Sequence, residues 1–179
     1  MTLRATRQQV KEYQMNLDGQ AEEVKVKGKR RREEAMHQAA FMAHRKVKVA
    51  DYPNLNYLFA TLNGIFLPPH LRAQAIEAGM APGILDLWYM VRREPYAGLV
   101  MDMKKLKDGR PSADQKEWAA HLVAQGYLVI FPAGCVDAWR CLCAFEGIVG
   151  KDHIASDLIA RENSIRRICE VEGGSTWER

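Results

Sequence analysis

Two β-forming runs, 84–91 and 99–103, are separated by a short link that contains Pro95. This spacing constrains the fold more than any other feature of the chain. Proline fixes φ and suits a tight turn. If the two runs pair as a hairpin across this link, they lie adjacent and antiparallel. If the turn is centred near Glu94, residues whose numbers sum to 188 stand opposite one another, and Asp86 then faces Asp102. Side chains alternate along a strand, so Asp102 and Lys104 share one face. Directly opposed carboxylates repel. A divalent cation between them removes the repulsion, and Mg²⁺ favours a few carboxylates combined with water and phosphate oxygens. Lys104 adds a positive charge beside that ion, able to orient a water or stabilise charge building on a phosphate. The grouping points to phosphodiester hydrolysis. It depends on register, since a slip of one residue turns Asp86 to the other face. On this reasoning Asp102→Asn is expected to abolish cleavage and to raise stability without metal. Trp88 shares the face of Asp86 and is expected in the core.

The rest of the chain reads as helices interleaved with short strands. Residues 1–30 are polar without a sustained period and are expected to form a flexible or loosely helical basic arm. From 31 to 47 the pattern is helical, with Met36, Ala39, Ala40 and Ala43 on one stripe. Residues 57–62 suit a strand, followed by the turn signal Asn63-Gly64. Pro68-Pro69 opens a short helix over 70–78, with Gly79 as its stop. Ser112 starts a helix that runs to about 125, where Ser-x-x-Gln forms a capping box with Gln115. Residues 127–131 suit an apolar strand, 135–149 a helix and 152–171 a charged helical tail. The order α, β, (α), β, β, α, β, α implies a mixed sheet flanked by helices. The expected organisation is a basic arm over 1–30, a folded domain over 31–150 and a helical tail over 151–179. No GxGxxG or P-loop pattern supports a nucleotide fold.

Charge is unevenly spread. Residues 1–32 carry nine Lys/Arg against four Asp/Glu, whereas the remainder carries 17 against 18. Lys25, Lys27, Lys29, Arg30, Arg31 and Arg32 account for the excess. Such a run binds phosphates by displacing counterions, or stands as a solvated tail. No apolar run is long enough to span a bilayer, and the first residues lack the apolar stretch of a secretory signal; a cytoplasmic protein is expected. The thiols of Cys135, Cys141, Cys143 and Cys169 fit a reducing compartment. No CxxC pair occurs, so buried or incidental thiols are expected rather than a zinc site. The five histidines show no ligand spacing among themselves and are expected to be incidental.

Several pieces then fall in a telling order: Glu34 with Gln38, Asn63-Gly64, Gly79, Pro82-Gly83-Ile84-Leu85-Asp86, Asp102-Met103-Lys104, Ser112 with Gln115 and Trp118, and Gly126-Tyr127. Over roughly 33–147 the chain resembles the VRR-NUC branch of the PD-(D/E)XK nuclease superfamily, in its short stand-alone phage and bacterial form. The resemblance implies an α/β restriction-endonuclease-like core, a central mixed four-stranded sheet flanked by helices, with N- and C-terminal helical extensions. It implies metal ligation of Mg²⁺ or Mn²⁺ by Asp86, Asp102, the Met103 carbonyl and Glu34, with Glu33 one residue away as the competing match. Lys104 and Gln115 fall at catalytic positions, and Gln38, Asn63 and Ser112 at positions facing DNA. A homodimeric endonuclease acting on branched or structured DNA is the implied activity. Two positions depart from the family pattern: Leu85 stands where Pro is usual, and Asp102 where Glu is usual. The shorter Asp102 side chain also suits an alternative, a catalytically inactive DNA-binding or regulatory protein that keeps the fold.

Overall fold

The structure, a computed structural model, describes residues 21–61, 68–81 and 83–174. Residues Glu33–Arg179 form one compact unit, separate from the segment before them, and the sheet, the core and the candidate site all lie in that unit. The described elements are α1 (Ala21–Lys48), a 3-10 turn (Pro53–Tyr57), β1 (Leu58–Ala60), α2 (Pro69–Glu77), β2 (Leu87–Tyr89), β3 (Leu99–Met101), α3 (Ala113–Ala124), β4 (Leu128–Ile130), α4 (Gly134–Glu146), α5 (Lys151–Ile154) and α6 (Ser156–Gly174).

The four strands form one sheet in the order β1-β2-β3-β4. β1 and β2 pair antiparallel, as do β2 and β3, while β3 and β4 run parallel. The parallel step follows from α3, which carries the chain back across the sheet. The mixed α/β architecture is the expected one. The β2–β3 ladder pairs Leu87 with Met101, Trp88 with Val100 and Tyr89 with Leu99, the register read from the link length. The turn closes between Arg93 and Tyr96, which exchange two backbone hydrogen bonds of 3.1 and 2.6 Å.

Alternation along the strands sorts two cores. Leu87, Tyr89, Leu99, Met101 and Met103 face the larger one, with Phe41 and Ala40 of α1, Trp139 and Leu142 of α4, and Leu158 and Ile165 of α6. Trp139 meets Phe41 edge-on at 6.4 Å and donates its indole N–H to the Asp152 carbonyl at 2.7 Å. Leu85, Val100 and Leu122 form the smaller core under α3, with Trp88, Tyr127, Val129 and Phe131 packed against it. Trp88, expected in the core, is half-buried against it: it meets Tyr127 edge-on at 6.1 Å and its Nε1 donates to the Leu85 carbonyl at 2.9 Å.

Three boundaries differ from expectation. α1 starts at Ala21, so residues 21–30 continue a helix where a flexible or loosely helical arm was expected; Ala, Glu, Lys and Arg favour helix even without an apolar stripe. The strands are shorter than their apolar runs, three residues each in the ladder. The C-terminal tail is two helices, broken at Ala155 in a left-handed conformation with φ 47°, and α6 is part of the main core rather than an appendage. No described helix is long and apolar enough to cross a membrane.

Candidate active site

The site is built where β2 begins and β3 ends. Asp86 immediately precedes β2 and Asp102 immediately follows β3, so the register extended by one residue sets them opposite each other. Their backbones bond outward. The Asp86 carbonyl accepts from Thr61 N at 2.7 Å, and Asp102 N donates to the Ile130 carbonyl at 3.1 Å. An antiparallel pair bonded outward in this way is the kind whose side chains approach most closely. Two steps on, Lys104 is pinned to the chain after β4, with Lys104 N donating to the Pro132 carbonyl and Gly134 N to the Lys104 carbonyl, both at 2.9 Å.

Asp102 and Lys104 are both buried, at 1% and 5% exposure. The Lys104 ammonium donates to Asp102 Oδ2 and to Gln115 Oε1 at 2.9 Å. Gln115 Nε2 donates to the same Asp102 oxygen at 3.0 Å, closing a three-membered network. The Phe131 ring lies 5.6 Å from Lys104 Nζ, a placement that favours the cation; nothing in the sequence singled it out. Gln115 is held from the other side by α3: Gln115 N donates to Ser112 Oγ at 3.2 Å, and Ser112 N donates to Gln115 Oε1 at 3.0 Å. The capping box and the contact with the carboxylate are thus made by one side chain. Gly83, three residues before Asp86, packs closely against this helix start. Its φ is +78°, and a Cβ there would fall 2.4 Å from the Asp114 Cβ, so only glycine fits both the turn and the approach.

Burial pushes the Asp86 carboxyl up to about 7, with the charge of Asp102 and a hydrogen bond to it next in weight, offset in part by Lys104. The charge of Glu34 adds to the upward push, which puts this α1 side chain within electrostatic reach of the pair. Glu33, the competing match, is engaged elsewhere: its Oε1 accepts from Leu106 N at 3.1 Å. Asp102 Oδ1 is buried without a hydrogen-bond donor among the described residues. Two opposed carboxyl groups, one protonated well above the usual carboxylate range and one with a buried oxygen lacking a donor, fit a divalent cation.

The expected stability gain from Asp102→Asn does not survive this geometry. The carboxylate is the main counter-charge of a buried ammonium, and removing it leaves Lys104 buried without that charge. Breaking one side of such a pair costs about 3–5 kcal/mol, more than the roughly 1 kcal/mol at most recovered from like-charge repulsion across a strand pair.

The other expected residues fall as follows. The Met103 side chain points into the main core, opposite to Asp102 and Lys104. Gln38 is half-buried one turn after Glu34 on α1. Arg32 is exposed. Asn63, Pro82 and the side chains of Lys25, Lys27, Lys29, Arg30 and Arg31 lie outside the described residues.

The architecture is an open mixed α/β sheet between helices, with two acids and a lysine meeting at one end of its central antiparallel pair. Among solved structures, a VRR_NUC domain protein matches this chain with a TM-score of 0.51 and 20% identity, covering 65% of this chain and 89% of its own. At that identity the likeness establishes the fold. No family model and no curated protein sequence matches the chain.

Proposed function

We propose that the protein is a divalent-metal-dependent nuclease that hydrolyses phosphodiester bonds in DNA. The observation that carries this reading is the Asp86–Asp102–Lys104 cluster at the end of the sheet, in which Asp102 and Lys104 are buried, Asp86 is half-buried and one Asp102 oxygen lacks a donor among the described residues. Asp86 and Asp102 would hold Mg²⁺ or Mn²⁺, joined by the Met103 carbonyl and with Glu34 as a further contact. When bound, such an ion supplies Lewis-acid stabilisation of charge on the phosphate oxygens. Lys104 presents a fixed ammonium next to Asp102, positioned to orient a water or stabilise negative charge at the reacting phosphate. Gln115 keeps that ammonium and Asp102 in register and acts as a positioning residue. Ser112, Gln38, Asn63 and the basic residues of 25–32 are the proposed contacts to DNA.

Action on branched or structured DNA, and a homodimer placing two such sites on two strands, extend the same proposal through the resemblance. The competing reading, a non-catalytic DNA-binding protein with this fold, draws on Asp102 standing where the resembled family carries Glu. Incubating the protein with labelled duplex, flapped and four-way-junction DNA separates the two. We expect cleavage in Mg²⁺ or Mn²⁺, none in EDTA, and none with Asp86→Asn. Binding without cleavage in either metal would overturn the nuclease reading.

A further inference from the structure

A second group of ligand-type side chains, none of them used above, joins α1, α4 and α6. His37 of α1 is fully buried, and neither ring nitrogen has a hydrogen-bond partner among the described residues. Its Nδ1 is 4.0 Å from Glu162 Oε2 of α6, and its Nε2 is 3.9 Å from Glu33 Oε1. Cys135, in the first turn of α4, is fully buried, with its Sγ 3.6 Å from the same Glu162 oxygen. One donor atom from each of His37, Cys135 and Glu162 lies within 4.8 Å of the others.

We propose that His37, Cys135 and Glu162 form a structural site for a thiophilic divalent cation of the zinc class. Imidazole, thiolate and carboxylate are the donors zinc takes, at about 2.0–2.3 Å, which sets tetrahedral ligands roughly 3.4 Å apart. The two separations from Glu162 Oε2, 3.6 and 4.0 Å, exceed that by about 0.2 and 0.6 Å, and the His37 and Cys135 donor atoms lie within 4.8 Å of each other, so the three side chains would close in slightly on an ion. A buried imidazole with no partner on either nitrogen is costly, and a cation on Nδ1 removes that cost. Glu33 lies 3.9 Å from the far nitrogen, so a shift of about 1 Å would make it the carboxylate that orients a metal-bound histidine; its Oε1 accepts from Leu106 N at 3.1 Å. Glu162 is held from behind by Val136 N at 2.9 Å. Gly134 leaves room for it, since a Cβ at that position would fall 2.6 Å from the Glu162 carboxylate. The Glu162 side chain keeps 14% exposure, which gives an ion a way in and leaves the fourth position to water. The site would clamp three helices onto one face of the sheet. Burial first, then the charge of Glu162, pushes the Cys135 thiol up to about 12, so without an ion it is an inert thiol rather than a nucleophile.

The test uses the metal-stripped full chain and Co²⁺, whose bond to a thiolate gives a charge-transfer absorption in the near ultraviolet that oxygen ligands do not produce. We expect this band in the wild type and in Asp86→Asn, its loss in Cys135→Ser, and its displacement by Zn²⁺. Zn²⁺ should also raise the thermal midpoint of the wild type by about 5 °C or more at saturation, and that of Glu162→Gln by much less. No thiolate band in the wild type at saturating Co²⁺ would overturn the proposal. So would a band that persists in Cys135→Ser, or an equal Zn²⁺ shift in Glu162→Gln. The outcome is independent of whether the protein cuts DNA.

Discussion

Asp86 and Asp102 face one another, yet substitution should affect the resting protein in opposite directions. Asp102 is neutralised by Lys104 and bonded by Gln115, so Asp102→Asn should lower the thermal midpoint in EDTA, as should Lys104→Met. Asp86 carries the cost of burial beside a like charge, so Asp86→Asn should hold or raise the midpoint by a few degrees. Acidity gives the same result with a sign. The Asp86 carboxyl is raised in the folded state, so its stabilising contribution is complete below 3.8 and is lost as pH climbs through about 7. Melts of the metal-free wild type across that window should show stability falling with pH, and Asp86→Asn should remove that component of the fall. A midpoint that drops equally for both Asp→Asn variants would show that the two acids are not in these distinct environments.

At the scale of elements, Gln115 and Ser112 cap the same helix but only Gln115 reaches the carboxylate, which makes them separable at saturating DNA. Ser112→Ala should cost about 1 kcal/mol in urea unfolding through the lost cap, weaken DNA binding if Ser112 contacts it, and leave the cleavage rate at saturating DNA near that of the wild type. Gln115→Ala should cost a similar amount and also slow cleavage by about tenfold or more, because Lys104 and Asp102 lose a shared hydrogen-bond partner. Equal rates for the two variants would confine Gln115 to capping. The capping box, the hairpin register and the α3 boundaries were legible because each depends on residues a few positions apart. The link between 91 and 99 set the pairing of Asp86 with Asp102 before any tertiary contact was known. The helical start at Ala21 was not legible, since 21–30 has no apolar stripe to mark it. Nor was the burial of α6, where charged residues conceal Leu158, Ile165 and Glu162. The surroundings of His37 were hidden for the same reason: Cys135 and Glu162 reach it only through the packing of helices distant in sequence.

On the scale of the whole molecule, the comparison with a VRR_NUC domain protein establishes an architecture that the order of strands and helices had already implied. The chemistry rests on the site. The basic excess of 25–32 predicts a separate, electrostatic contribution to binding. Deleting residues 1–30 should weaken affinity similarly for all DNA sequences and make the salt dependence shallower, by about 0.9 per lost phosphate contact on duplex DNA. Turnover at saturating DNA should change little, because every member of the carboxylate cluster remains. An unchanged salt slope in a binding titration would make the segment a solvated tail. The central claim is that the opposed carboxylates exist to hold a divalent cation, and Mn²⁺ binding to the metal-free protein tests it most directly. Electron paramagnetic resonance or calorimetry should find a Mn²⁺ site in the wild type that is absent from Asp86→Asn. Equal Mn²⁺ binding by the two proteins would contradict the account.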